Sequence, residues 1–193
     1  MDKIILASNN QGKIKEFNLL LKGVFTVVSM QDLQVSEVAE TGLSFVENAL
    51  IKARNAAKQS DLPALADDSG LVVEALNGAP GIFSARYSGA NSDDKANVEK
   101  LLKNMQNKTN RKAQFWCAIV LVKSADDPVP LVIQRGWEGE ILSKKTGENG
   151  FGYDPIFYLP SHNCSAAELD LKEKNKISHR GKALQALLQK LQC

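Results

Sequence analysis

Apolar residues near the start of the chain occur first as a continuous run and then at helical spacing. Residues 4–7 are all apolar, which predicts a buried strand. The next apolar positions, which share one face of a helix, are Ile14, Phe17, Leu20 and Leu21. Residues 24–28 then predict a second strand. A strand, a helix and a strand in this order favour a parallel pair, because the helix returns the chain across the sheet.

A long amphipathic helix is predicted next, beginning near Thr41. Its apolar stripe contains Leu43, Val46, Ala49, Leu50, Ala53 and Ala57. Ser44 and Glu47 have the spacing of a capping box. The helix is expected to end near Ser60, because Pro63 follows.

Two short apolar segments, residues 64–66 and 71–75, flank the acidic sequence Asp-Asp-Ser-Gly at residues 67–70. Asp, Ser and Gly are common in turns. The pattern therefore predicts a strand, an acidic turn and another strand.

The next segment, residues 77–91, is rich in Gly, Ala and Ser, which is typical of a long loop. Ser92 is predicted to cap the helix that follows, with Asp93 and Asp94 in its first turn. The buried stripe of this helix contains Val98, Leu101, Leu102 and Met105.

The last third of the chain predicts a hairpin and a closing helix. Residues 113–123 and 129–142 are long and rich in β-branched and aromatic residues, and the short polar turn between them favours an antiparallel pair. The closing helix presents Leu184, Leu187, Leu188 and Leu191. The order of elements predicts an α/β fold with a mixed sheet.

Length and composition limit the classes of protein to consider. A chain of 193 residues is most simply one domain. Its 24 basic and 22 acidic residues are dispersed and give a net charge of +2, which argues against extensive nucleic-acid binding. Its three cysteines are far apart, which favours a reducing compartment over disulfides or a zinc site. With no apolar run of membrane length, we expect a soluble, cytoplasmic protein.

The loop between the first strand and the first helix is small and polar. It contains Ser8, Asn9, Asn10, Gln11, Gly12 and Lys13. The first N–H groups of a helix lack intrahelical partners and lie at the positive end of its dipole, so they favour an anion. These residues fit a phosphate-binding loop. Their spacing is that of neither a Walker A loop nor a GxGxxG motif, so an ordinary strand-to-helix turn is the alternative.

Asp67 and Asp68 are adjacent carboxylates between apolar segments. On an extended chain their side chains point to opposite faces, which suggests different roles. Carboxylates are ligands that Mg²⁺ prefers, and Glu37 or Glu40 could supply a second one. The alternative is a solvated turn for the aspartates and an exposed loop acid for Glu40.

Two further segments contain candidate binding residues. Residues 146–160 hold three glycines, four aromatic residues and Asp154, which we expect to be buried. Phe151 or Tyr153 could stack on a base, although core packing at a tight turn is the alternative. Residues 174–181 form the second segment and place cations at the start of the last helix, where the helix dipole disfavours positive charge. This conflict suggests a binding site for an anion or a carbonyl oxygen. The alternative is a basic face exposed to solvent.

Together, these segments resemble the inosine triphosphate pyrophosphatase family, also described as dITP/XTP pyrophosphatases, in its bacterial form. The resemblance extends over nearly the whole chain. It rests on SNNQGK at residues 8–13, ETGLSFVENALIKA at 40–53, ADDSGLVV at 66–73, GAPGIFSARYSG at 78–89, GFGYDPIF at 150–157, SAAEL at 165–169 and SHRGKAL at 178–184. One departure is visible, since the family loop often begins Thr-Gly-Asn and Asn9 here replaces the glycine.

The resemblance implies an elongated, two-lobed α/β fold with a central mixed sheet, flanking helices and a substrate cleft between the lobes. It also implies a homodimer. The charge distribution and the hydropathy of the sequence predict that the protein binds neither nucleic acid nor membranes. The implied reaction is Mg²⁺-dependent hydrolysis of non-standard purine nucleoside triphosphates, namely dITP, ITP, XTP and dXTP. The products would be the monophosphate and pyrophosphate.

The same resemblance implies roles for individual residues. Asp68 would be the general base and, with Glu40, a metal ligand, while Lys52 is a further phosphate candidate. The implied substrate-binding residues are Ser8, Asn9, Asn10, Gln11, Gly12, Lys13, Ser69, Phe151, Gly152, Tyr153, Asp154, Lys174, His179 and Arg180.

The sequence leaves three other functions as alternatives. A Maf-type pyrophosphatase acting on other modified nucleotides is disfavoured by the FGYDP and SHR segments. A catalytically silent nucleotide sensor is disfavoured by the presence of Asp67, Asp68 and Glu40. An RNA-binding module would require a continuous basic stripe with interleaved aromatic residues, and the sequence has only local basic clusters.

Overall fold

The computed structural model describes residues 2–89 and 93–191 and has an α/β fold. Its strands are β1 (Asp2–Leu6), β2 (Phe25–Ser29), β3 (Ala64–Val73), β4 (Lys112–Val122), β5 (Leu131–Ile141), β6 (Phe157–Leu159) and β7 (Cys164–Ser165). Its α-helices are α1 (Gln11–Leu21), α2 (Phe45–Ser60), α3 (Asp94–Asn104), α4 (Leu171–Ile177) and α5 (His179–Leu191).

The strands form a mixed sheet in the order β2-β1-β3-β4-β5-β6-β7. β1 is parallel to β2 and β3, which confirms the parallel start predicted from the first two strands. β6 is antiparallel to both β5 and β7. β4 and β5 are neighbours, as the hairpin prediction requires. The predicted α/β class with a mixed sheet is therefore confirmed.

The acidic turn predicted at residues 67–70 is wrong, because β3 is one strand of ten residues. Asp67 and Asp68 lie within it and are only 1% and 6% exposed. Turn preference is a local tendency, whereas here the strand is held between two neighbours in the sheet and both aspartates are close to lysines.

Two helix starts also differ from prediction. α2 begins at Phe45 instead of Thr41, with Ser44 as its N-cap, so the capping box was a better guide than the apolar spacing. Leu43, assigned to the apolar stripe of this helix, instead lies before it and is 89% exposed. α3 is capped by Asp93, whereas the predicted cap Ser92 lies outside the described residues.

The chain divides into two compact units, each built from separate segments. The first contains the residues up to Asp68, Cys117–Arg135 and the segment from Gly181 onward. The second contains Ser69–Trp116 and Gly136–Arg180. The division falls between Asp68 and Ser69 within β3, so each unit contains part of that strand.

The first unit has two apolar clusters that use alternate residues of the same strands. Ile5 of β1 packs in the cluster that contains the alanines of α2. Ile4 and Leu6 pack in the other cluster, with Phe17 of α1 and Leu184 of α5. This separation follows from the two-residue period of a strand.

The described part of the second unit has one large apolar cluster. It is formed around Leu71, Val98, Leu101, Met105, Phe115, Trp137, Ile156 and Phe157. None of the helices within residues 2–89 and 93–191 combines the length and hydropathy needed to cross a bilayer.

Candidate functional site

The predicted site residues form two groups, one in each unit. In the first unit, the loop after β1 leads directly into α1. Asn10 is the N-cap of α1, and its Oδ1 accepts a hydrogen bond from Lys13 N at 3.0 Å. Asn10 N donates to Ser8 Oγ at 3.3 Å. The polar side chains of the loop therefore stabilise the helix start whose N–H groups suit an anion.

Asn9 lies in this loop where the family often has glycine. Within the described residues, positive φ angles at non-glycine residues occur at Gln34, Asp61, Asn77 and Asn163, and not at Asn9. The loop therefore does not require the conformational freedom of glycine at this position. Asn9 Nδ2 instead donates a hydrogen bond to Glu37 Oε1 at 2.7 Å.

Asp67 and Asp68 have different partners from different helices. Lys13 Nζ of α1 lies 2.9 Å from Asp67 Oδ2. Lys52 Nζ of α2 lies 3.5 Å from Asp68 Oδ1. The sequence prediction that the two carboxylates point to opposite faces is therefore confirmed.

Asp68 is held from two sides by α2. Asn48 Nδ2 donates to Asp68 Oδ2 at 3.2 Å, while Lys52 lies near Oδ1. Lys52 Nζ also lies 2.5 Å from Glu40 Oε1. Asp68, Lys52 and Glu40 therefore form a chain of alternating charges, and Glu40, not Glu37, supplies the acid beside Lys52.

Asn48 is a residue of this group that the sequence reasoning did not identify. It is completely buried, and its Oδ1 accepts a hydrogen bond from Gly42 N at 2.8 Å. Because that N–H is a donor, the amide oxygen must face Gly42, which leaves the NH₂ group for Asp68. The signal in the sequence was a polar residue inside the alanine-rich stripe of α2.

The environment of Asp68 raises its pKa. Burial is the largest cause, and the ammonium groups of Lys52 and Lys13 offset only part of it. Burial lowers the pKa of Lys52, but the charges of Asp68, Asp67 and Glu40 outweigh that effect and raise it overall. Lys52 therefore stays charged, and Asp68 is a stronger base than an exposed aspartate.

The carboxylate oxygens of Glu40 and Asp68 are suitable ligands for a divalent cation. Their carboxylate oxygens already lie on either side of one positive charge, the Lys52 ammonium. Across residues 2–89 and 93–191, no group of three or more His, Cys, Asp or Glu side chains is placed to hold a metal. Two carboxylates suit a cation that takes its remaining ligands from water and substrate phosphates.

In the second unit, Asp154 and Lys174 form a buried ion pair. Lys174 Nζ lies 2.6 Å from Asp154 Oδ2, and their side chains are only 6% and 4% exposed, respectively. Phe151 N donates to the same oxygen at 2.9 Å. The Lys174 ammonium also lies 4.8 Å from the centre of the Phe151 ring. The expectation that Asp154 is buried is confirmed.

Gly150 allows this arrangement. It has a φ of +79°, and a Cβ at this position would overlap the Asp154 carboxylate. A side chain is therefore excluded on two grounds, backbone conformation and space.

The two aromatic residues named as base-stacking candidates have different environments. Tyr153 is buried, and its hydroxyl donates to Ser84 O at 2.8 Å. Burial is also the largest cause of its strongly raised pKa. Phe151 is partly exposed, with the Arg180 guanidinium 5.9 Å from its centre. Phe151 is thus the better placed of the two for stacking.

His179 and Arg180 begin α5 and are both buried. Arg180 Nη2 donates to Ser69 Oγ at 2.9 Å. The His179 ring is stacked on Phe115, with 4.9 Å between centroids and an angle of 8° between planes. The basic start of this helix is therefore a packed polar group and not a solvated face.

The structure thus assembles the predicted residues within each unit. The first unit holds Ser8, Asn9, Asn10, Gln11, Gly12, Lys13, Glu40 and Asp68. The second holds Ser69, Phe151, Gly152, Tyr153, Asp154, Lys174, His179 and Arg180.

Similarity to known proteins extends over the whole chain. Residues 4–190 match the Ham1 family. A Vibrio parahaemolyticus protein named dITP/XTP pyrophosphatase is 53% identical over 194 residues, covering 99% of this chain and 97% of its own. The structure of a HAM1 protein from Coxiella burnetii has a TM-score of 0.94 and 50% identity, covering 100% of this chain and 99% of its own. A nucleoside-triphosphatase / dITP/XTP pyrophosphatase from Mycobacterium abscessus has a TM-score of 0.78 and 45% identity, covering 96% of this chain and 98% of its own.

Proposed function

Because this chain belongs to the Ham1 family, we propose that it hydrolyses dITP, ITP, XTP and dXTP to the nucleoside monophosphate and pyrophosphate, removing these purines from the nucleotide pool. The observation that carries the proposal is 53% identity across 99% of the chain to a protein named dITP/XTP pyrophosphatase. The geometry of both residue groups fits this reaction.

Asp68 is the proposed general base. Cleavage between the α and β phosphates requires a water molecule activated for in-line attack, and a carboxylate of raised pKa can accept its proton. Asn48 fixes one oxygen of Asp68 by a hydrogen bond, so the carboxylate has a defined orientation.

The triphosphate is proposed to bind at the start of α1. The N–H groups of Gln11 and Gly12, with the hydroxyl of Ser8 and the amides of Asn9 and Asn10, would contact its oxygens. Lys13 and Lys52 would supply positive charge as it accumulates on the leaving pyrophosphate. Mg²⁺ held by Glu40 and Asp68 would add further charge neutralisation.

The second unit is proposed to bind the base and sugar. Phe151 offers a partly exposed ring for stacking. Arg180 and His179 would donate hydrogen bonds to the 6-keto oxygen of hypoxanthine or xanthine. The 6-amino group of adenine is itself a donor, so it would meet these donors in an unfavourable contact and be rejected. Ser69, Gly152, Asp154 and Lys174 would complete this surface, and Tyr153 would support it from the core.

We further propose that the two units act as one catalytic domain, that the protein is a homodimer, and that it binds neither nucleic acid nor membranes. The cytoplasm is the proposed location, because it contains the nucleotide pool that such an enzyme would act on.

The direct test is to incubate the protein with ITP, dITP, XTP, GTP, ATP and dUTP, with Mg²⁺ or with EDTA, and to identify the products by chromatography. We expect pyrophosphate and monophosphate from the hypoxanthine and xanthine nucleotides, only when Mg²⁺ is present. Release of orthophosphate, or a preference for ATP, would overturn the proposal. A preference for dUTP would favour the Maf-type alternative, and nucleotide binding without turnover would favour a sensor.

A further inference from the structure

Lys52 lies between the two carboxylates that are proposed to hold the metal. Its ammonium contacts Glu40 at 2.5 Å and Asp68 at 3.5 Å. We propose that Lys52 occupies the cation position in the metal-free protein, and that it is released toward the substrate phosphates when a divalent cation binds. This inference rests on the proposed function, since it assumes the Glu40 and Asp68 metal site.

Two lysines lie among three acidic side chains in this part of the first unit. The acidic side chains are those of Asp67, Asp68 and Glu40, and the lysines are Lys13 and Lys52. Lys13 contacts Asp67, so Lys52 is the ammonium that contacts both Asp68 and Glu40. Buried carboxylates are costly when they are unpaired, and Lys52 therefore stabilises the protein before any metal is bound.

An ammonium and a divalent cation cannot share these oxygens at the observed distances. Mg²⁺ binds carboxylate oxygens at about 2.0–2.1 Å. If the Lys52 ammonium stayed within 2.5 Å of Glu40 Oε1, it would lie close to the positive charge of the bound cation, in a largely buried environment where repulsion is strong. Lys52 has a flexible four-carbon side chain, so it can move away while its Cα stays fixed in α2.

This exchange predicts an order of binding. Before the cation binds, the charge of Lys52 is already neutralised by Glu40 and Asp68. After the cation takes over those carboxylates, Lys52 needs a new anionic partner, and the triphosphate supplies one. By linkage, the phosphate contact of Lys52 should in turn strengthen cation binding.

The first test measures the release of Lys52 in the unmodified protein, without nucleotide. Lysine side chains are methylated with formaldehyde and a mild borohydride, with and without Mg²⁺, and each position is quantified by mass spectrometry. Lys13 is a matched control, because its side chain is 15% exposed against 17% for Lys52 and it also contacts an aspartate. We expect Mg²⁺ to increase the methylation rate of Lys52 at least fivefold. A rate for Lys52 that rises no more than that of Lys13 would overturn the proposal.

The second test measures Mn²⁺ affinity by electron paramagnetic resonance, again without nucleotide. Lys52→Met removes the competing ammonium and should tighten Mn²⁺ binding at least tenfold over the wild-type protein. Lys13→Met should have a smaller effect, because Lys13 contacts the neighbouring carboxylate. A gain for Lys52→Met no larger than that for Lys13→Met, or no detectable Mn²⁺ binding, would overturn the exchange.

These tests are independent of the reaction. If the wild-type protein releases pyrophosphate from dITP and Lys52 fails either test, the proposed function stands and the exchange alone is rejected. If the protein binds Mn²⁺ as expected but does not act on dITP, the proposed function is the part that fails.

Discussion

The buried ion pair between Asp154 and Lys174 gives a prediction whose size can be worked out from the structure. Lys174→Met removes the ammonium and leaves the Asp154 carboxylate inside the second unit. Breaking a buried pair by removing one partner costs roughly 3–5 kcal/mol. Asp154 keeps the hydrogen bond from Phe151 N, so we expect the lower end, about 3 kcal/mol. For a chain of this length, this corresponds to a fall in Tm of roughly 6–12 °C.

The chain contains a matched control two residues away on the same helix. Lys176 pairs with Glu173 at 2.9 Å, but their side chains are 58% and 37% exposed. The charges of such an exposed pair are screened by solvent, so Lys176→Met should change stability little. Urea unfolding followed by circular dichroism, at pH 7 and without nucleotide, would give the free energy of unfolding of both variants.

Adding Asp154→Asn to Lys174→Met completes the test. The asparagine removes the unpaired charge and keeps an oxygen for Phe151 N, so the double variant should recover more than half of the lost stability. If Lys174→Met lowers the free energy of unfolding no more than Lys176→Met does, loss of the buried partner carries no extra cost and the reasoning is refuted. If the double variant recovers nothing, the loss comes from packing and not from an unpaired charge.

Three further predictions concern the proposed catalytic and base-binding groups. Asp68→Asn should lower kcat for dITP by about a hundredfold or more while nucleotide binding persists, and unchanged turnover would remove Asp68 as general base. In the metal-free protein, the raised pKa of Asp68 means that its ionised form costs stability, and this cost appears as the pH rises from the unfolded-state pKa through the folded-state pKa. The gain in Tm from Asp68→Asn should therefore be larger at pH 7 than at pH 4, and an equal gain at both would contradict the assigned environment. Arg180→Ala should reduce the ratio of kcat/KM for ITP to that for ATP, and an unaltered ratio would exclude base selection by Arg180.

Sequence reasoning worked best where a physical pattern was independent of context. The family resemblance, the α/β class and the parallel start of the sheet are confirmed. The opposite directions of Asp67 and Asp68 followed from strand geometry alone, and that prediction held even though the predicted turn around them was wrong. The turn failed because local residue preference could not reveal the neighbouring strands or the lysines that make two buried carboxylates tolerable.

Most of the predictions that failed or were missing depended on partners distant in the sequence, and one depended on a local cap. The role of Asn48 required knowing that Gly42 and Asp68 lie on either side of it. The apolar residue Leu43 matched the spacing of α2, but the cap at Ser44 places it outside the helix. Deciding between Phe151 and Tyr153 as the stacking residue likewise required knowing that Tyr153 contacts Ser84.

The composition of the two cores has a consequence for how the chain acquires its structure during synthesis. One cluster of the first unit contains both Ile4 and Leu187, so it cannot be completed until the ribosome has made nearly all of the sequence shown. Among the residues that the structure describes, the core of the second unit, by contrast, contains none after Ala166, apart from two partly buried neighbours. Although domains nearest the N-terminus generally fold first during translation, here the unit that begins later can complete its core earlier. The first unit is the one that must wait for the last helix, because Ile4 and Leu6 are covered on one side by residues of that helix.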